Sequence, residues 1–213
     1  MSGYSALRMS TISPPVKELL PLVCSTIGCQ DWDDRLDLTE FRFSKLTESN
    51  PKKLAQGVIQ IGILRSAVEA HTAGSWARVA SLCRRSLRRP DWALHACDES
   101  LEINPRNVAA IAARIAANGE MGNLAVAERD YLRIQTIKPG HTYAQYAIAS
   151  ARLKNGKEKE AVPPATAAYR VCPTKPGALL LAKIAKANNE HNQAREWLRD
   201  ANESQLTRGS GRQ

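Results

Sequence analysis

The sequence predicts an all-α fold, a stack of antiparallel helical hairpins, and three periodic features predict it. Pro105, Pro139 and Pro173 stand 34 residues apart, each just after a helix-like run that ends in Ile103, Ile137 or Val171. A proline there ends a helix, because it has no N–H to continue the hydrogen-bond ladder. Twelve residues before each proline stands an alanine: Ala93, Ala127 and Ala161. Gly122 and Gly156 precede the last two prolines by 17 residues, at the place of a tight turn, where glycine adopts positive φ at little cost.

This spacing suits a helix–turn–helix unit, since two helices of about 13 residues with short turns consume about 34. The small alanine lets the second helix approach its neighbour closely. A larger residue four places on, Cys97 or Tyr131, fills the adjacent groove. One unit cannot bury its apolar face alone, so units stack. Composition agrees: apolar residues make up 43% of the 213 and aromatics only 5%. Strands would want more β-branched and aromatic side chains.

In chain order, Met1–Ser13 is small and polar. Pro14-Pro15 opens a short amphipathic helix, proline standing where a missing N–H costs nothing. Gln30–Asp37 is an acidic connector, and Phe41 and Phe43 anchor a short element over Leu38–Leu46. After the stop at Ser49-Asn50-Pro51, Leu54, Val58, Ile61, Leu64 and Val68 make a one-sided helical stripe that ends near His71. Residues 1–50 are thus assigned to an N-terminal helical cap or extension, since a stack needs atypical ends. Residues 51–204 form the repeat domain, with hairpins over about 74–105, 106–139, 140–173 and 174–204, the last one residue short. Pro163-Pro164 falls inside the second helix of the third hairpin. An interior proline costs roughly 3 kcal/mol, so a late helix start at Ala161 or Pro163 is expected. Residues 205–213, polar and Gly-rich, read as a disordered tail.

On these residues the chain resembles the tetratricopeptide repeat (TPR) family. The clearest copy has Asn107 at its start, Ile111 in the usual Trp place, Gly122-Asn123 at the turn, then Ala127, Tyr131 and Pro139. Trp76, Ala93, Asn104 and Pro105 mark the copy before it, and Gly156, Ala161, Ala168 and Pro173 the copy after. Ala194 and Trp197 mark a shortened fourth copy. Arg114-Ile115 and Ile148-Ala149 depart from the family's usual Leu-Gly. The resemblance implies a right-handed superhelical solenoid whose concave face, lined by the first helix of each hairpin, holds a partner. The family is defined by packing, so it implies no particular ligand.

Carried over, the groove positions fall on Ser75, Arg78, Val79 and Leu82, then on Ala109, Ala112, Ala113 and Ala116. In the third hairpin they fall on Tyr143, Tyr146, Ala147 and Ser150, with Lys154 one turn on. The Lys, Asn and Arg of the family's chaperone-tail clamp are mostly missing from these places, which argues against a carboxylate clamp. The implied surface is an alanine floor with a tyrosine pair and a basic edge, able to take a helix or an extended peptide. The candidate partner-binding residues are Arg78, Leu82, Arg85, Ala112, Ala116, Tyr143, Tyr146, Ser150 and Lys154. The alternative for the tyrosines is packing against the next hairpin.

Charge adds to this. The net charge is +9, and residues 1–50, with 5 basic and 7 acidic side chains, contribute none of the excess. A basic repeat region suits an acidic partner, nucleic acid or an anionic membrane surface, or simply keeps the chain soluble. The densest run is Arg84, Arg85, Arg88 and Arg89. It is a candidate basic patch that could grip phosphates or carboxylates, or a solvated helix end set against the helix dipole.

No catalytic signature is present: no GxSxG, HExxH, Walker-type loop or GxGxxG. The four histidines are widely separated, and the five cysteines match no zinc spacing. Four of the cysteines lie in apolar helical surroundings and read as small buried residues in a reducing cytosol. No run of 18 or more apolar residues occurs. The stretch Leu19–Cys29 faintly resembles a lipoprotein signal, but Glu18, Pro21 and Thr26 speak against it, and the chain is read as cytoplasmic. The expected function is a non-enzymatic protein–protein interaction scaffold, an adaptor or chaperone, with no cofactor or metal and a protein or peptide partner. A second copy of the chain could also cover the groove. The alternative is a nucleic-acid-binding helical-repeat protein using its basic face, although interleaved aromatics and an RNA-reading code are lacking.

Overall fold

The structure is a computed structural model that describes residues 70–209 together with Ile59, Gln60, Ile63 and Ala67. The cap assigned to residues 1–50 lies outside the described residues. Among the described residues before the repeats, Ile59, Gln60, Ile63, Ala67 and Ala70 are helical. Ala67 is fully buried, and Ile63 packs on the same cluster as Trp76 and Val79.

Eight helices follow in the described residues, with no strand. They are α1 (Ala73–Arg85) and α2 (Pro90–Ile103), α3 (Val108–Met121) and α4 (Leu124–Ile137), α5 (Thr142–Lys154) and α6 (Glu158–Val171), α7 (Lys175–Ala187) and α8 (His191–Gly209). Each helix packs mainly on its partner in the hairpin and on the next hairpin, the nearest-neighbour pattern of a solenoid.

The first helix of every hairpin is locked at its start by a side chain. Thr72 Oγ1 accepts from Ser75 N–H at 3.2 Å while Ser75 Oγ accepts from Thr72 N–H at 3.1 Å, a capping box. Asn107 Oδ1 accepts from Ala109 N–H at 3.1 Å, His141 Nδ1 from Ala144 N–H at 3.3 Å, and Thr174 Oγ1 from Gly177 N–H at 3.2 Å. The second helices α2, α4 and α6 have no side-chain cap. They leave directly from a tight turn whose hinge residue has positive φ: Arg88 (57°), Gly122 (84°), Gly156 (72°) and, before α8, Asn189 (64°). The two glycines behave as the sequence predicts, and the outer hairpins turn at the same place without one.

The core is alanine-rich, as the periodicity requires. Ala93, Ala127 and Ala161 are fully buried, and Ala194 holds the matching place in α8. Ile111, Ile115, Ile134, Ile148 and Ile184 fill the spaces between them. Helices α3 and α5 approach so closely that a Cβ on Gly119 would lie 2.4 Å from Ala151 Cβ. Between helices Arg114 bonds Asp130 in bidentate fashion at 2.7 Å and 2.7 Å, and Arg152 bonds Glu128 at 2.8 Å and 2.8 Å.

Three expectations are corrected. Helix α6 starts at Glu158, not late, so Pro163 and Pro164 are interior. Arg152 Nη1 donates to the Glu160 carbonyl at 2.9 Å, the acceptor for which Pro164 has no N–H. Helix α8 continues to Gly209, into the segment read as a loose tail. No proline interrupts it, and Arg199 and Glu203 pair across one turn at 3.8 Å. Cys83 and Cys97 are buried as expected, but Cys172 is exposed, because it follows α6 in the inter-hairpin link. Cys24 and Cys29 lie outside the described residues.

Candidate functional site

A groove of about 520 Å³ opens where α7 turns away from α5. Its width depends on one side chain. Tyr146, on α5, stands between the two helices, and a Cβ on Gly177 would lie 2.3 Å from its hydroxyl oxygen. The Tyr146 hydroxyl donates to the Cys172 carbonyl at 3.1 Å, fixing the ring. Burial pushes its phenol above the ordinary range. The glycine is what lets a tyrosine occupy that gap.

The centre of the groove is small and apolar, with Ala116 and Gly119 from α3, Ala147 from α5, and Leu179 and Leu180 from α7. Its wall from α1 holds Arg84, which donates to Glu120 Oε1 at 2.7 Å and to the Tyr143 hydroxyl at 2.8 Å. Its Nε–H is buried with no partner among the described residues. The Arg84 side chain is only 15% exposed, so the pair with Glu120 is half-sheltered from screening. Arg85, Lys154 and Lys183 stand at the rim, all exposed. The Lys154 ammonium donates to the Glu120 carbonyl. Arg85 and Lys183 make no ion pair among the described residues.

Of the candidate residues, Arg85, Ala116, Tyr143, Tyr146, Ser150 and Lys154 line this groove. Arg78 is exposed elsewhere on α1, while Leu82 (5% exposed) and Ala112 (0%) are core residues and do not line it. The reason is that the groove runs obliquely. It crosses α3 and α1 one and more turns nearer their C-termini than it crosses α5. The groove residues of α7 were missed for a different reason. Carrying Tyr143, Tyr146, Ala147 and Ser150 forward by 33 residues, the length of the shortened repeat, gives Pro176, Leu179, Leu180 and Lys183, all in the groove. Gly119 and Gly177 carry no sequence signal of their own.

The arginine run does not form one patch. Arg84 belongs to the groove wall and Arg85 to its rim. Arg88 is the left-handed turn residue. Arg89 bonds Asp91 at 3.0 Å and 2.6 Å and lies 3.7 Å over the Trp92 ring. That hydrogen bond holds the Asp91 carboxyl below its ordinary pKa. Among the described residues no three His, Cys, Asp or Glu side chains gather as a metal site. No helix among them is long and apolar enough to cross a membrane.

No family model and no curated protein matches the chain. Solved structures do. The crystal structure of PilW, a widely conserved type IV pilus biogenesis factor, matches at 18% identity with a TM-score of 0.53, over 68% of this chain and 66% of that one. This chain therefore spans just under two thirds of the PilW chain. The MamA RS-1 ArsTM double mutant matches at 12% identity with a TM-score of 0.53, over 94% of this chain and 99% of that one. The fold is a TPR-like helical-repeat solenoid. At these identities the likeness is one of fold. Within the solenoid, the groove sits between the first helices of successive hairpins.

Proposed function

We propose that this solenoid is a protein–protein interaction scaffold, an adaptor without catalytic activity, that holds a segment of a partner protein in the groove between α1, α3, α5 and α7. The observation that carries the reading is the groove itself: about 520 Å³, small and apolar at its centre, with exposed cations at its rim. Such a surface suits a peptide or a helix face, which fills the centre with a side chain and meets the rim with polar groups.

The test is site-specific photo-crosslinking in the native lysate. A photoreactive residue at Ser150, on the groove wall, should capture a discrete partner protein. One at Leu132, which is 66% exposed on α4 and outside the groove, should not capture it. Ser150→Trp should abolish the capture from a neighbouring groove position such as Lys154. Equal capture from both positions, or none from Ser150, would sink the reading.

A further inference from the structure

We propose that the groove's occupant is an acidic segment, specifically one that sets an apolar side chain between carboxylates. This rests on the groove reading above and adds the chemistry of its ligand. Four cations reach the groove: Arg84 and Arg85 from α1, Lys154 from α5 and Lys183 from α7. The carboxylate among the groove residues, Glu120, is already engaged by Arg84 at 2.7 Å. Elsewhere in the solenoid, arginines set between helices are neutralised on the spot. Arg114 meets Asp130 and Asp98, and Arg152 meets Glu128. Arg85 and Lys183 make no such pair among the described residues. With four cations against one carboxylate, the groove carries a positive excess that an acidic ligand can offset.

The placement of charge also sets the order of groups in that ligand. The unpaired cations stand on opposite walls, α1 and α7, and between them lie Ala116, Ala147, Leu179 and Leu180. An acidic group at each end and an apolar group in the middle satisfies both conditions. A nucleic acid fits less well. Its phosphates need a continuous track of donors and its bases need free aromatic faces. Here the centre is aliphatic, the Tyr146 ring is pressed on Gly177, and the Tyr143 ring lies 6.0 Å from the Arg84 guanidinium.

The experiment pans phage-displayed random dodecapeptides on the full chain. Three variants accompany it: Arg85→Glu/Lys183→Glu, Ser150→Trp to fill the groove, and Arg85→Lys/Lys183→Arg to keep the charge. Circular dichroism confirms that each is folded. The expected consensus is net negative, with an apolar residue flanked by Asp or Glu. A labelled consensus peptide should bind the charge-reversed variant at least about tenfold more weakly, since losing paired charges weakens association on this scale. The charge-keeping variant should bind as the parent does. A neutral or basic consensus that Ser150→Trp abolishes would overturn the acidic ligand and leave the groove reading standing. Peptides that bind Ser150→Trp unchanged, or no enrichment at all, would overturn both. Displacement of the consensus peptide by a labelled oligothymidine would overturn the peptide class in favour of nucleic acid.

Discussion

Arg152 Nη1 donates at 2.9 Å to the main-chain carbonyl of Glu160, the acceptor that Pro164 leaves open one helical turn later. The same guanidinium holds Glu128 at 2.8 Å through two further bonds. One side chain thus both joins α4 to α5 and repairs α6. Arg152→Ala should lower stability by about 1–3 kcal/mol, since it removes two bonds to a half-buried carboxylate and one to an exposed carbonyl. Pro164→Ala should reduce that loss by about 1 kcal/mol, because alanine restores the N–H that the carbonyl needs. Urea unfolding of the two single variants and the double variant measures the coupling, and strict additivity would refute it.

Arg88 and Gly122 occupy equivalent turns, with φ of 57° and 84°. A side chain in the left-handed region costs about 1–2 kcal/mol. Arg88→Gly should therefore raise stability by up to about 1 kcal/mol, and Gly122→Ala should lower it by about 1 kcal/mol. Opposite shifts in melting temperature, each of a few degrees, are the readout.

Gly119→Ala places a Cβ 2.4 Å from Ala151 Cβ and 3.0 Å from its Cα. Backbone must move, so α3 and α5 should separate at a cost of about 1–3 kcal/mol. Ala151→Gly in the same chain should recover most of the loss in thermal denaturation, and no recovery would place the strain elsewhere.

Burial, with Lys138 nearby, pulls the His141 pKa below its ordinary 6.5. Its neutral ring accepts from Ala144 N–H at the start of α5. The folded pKa lies below the unfolded one, so the unfolded chain binds this proton more readily. The stabilisation is present above the unfolded pKa and is lost as pH falls towards the folded value. His141→Asn keeps a capping acceptor and cannot titrate. Comparing urea midpoints of the two chains from about pH 7.5 down to about pH 5 should show a steeper decline with histidine.

Burial pushes the Cys83 thiol up to about 12 and the Cys97 thiol higher still, while Cys172 is exposed. With Cys24 and Cys29 replaced by serine, Ellman's reagent should titrate one thiol in the native chain and three after denaturation. Rapid native labelling of Cys83 or Cys97 would contradict the described core.

Pro105, Pro139, Pro173 and the alanines twelve residues before them announce the hairpins because helix stops and close contacts are written locally. The internal start of α6 was not legible. The donor that rescues it, Arg152, comes from a different helix, and nothing beside Pro163-Pro164 reveals it. The groove was legible at Tyr143, Tyr146 and Ser150, where the repeat register applies directly. Leu82 and Ala112 were misplaced because the register does not encode the oblique path of the groove across α1 and α3. Leu179, Leu180 and Lys183 were readable once the one-residue deletion is carried through.

Tyr146 and Gly177 together behave as a single variable divided between two helices. Any enlargement at one position must be matched by a reduction at the other, or the third and fourth hairpins shift apart. In related chains the two positions are therefore expected to co-vary. Glycine should accompany an aromatic residue at 146, and a bulkier residue should appear at 177 where 146 is small. Lineages in which the groove has been reshaped would carry that exchange as their signature, with the surrounding alanines unchanged.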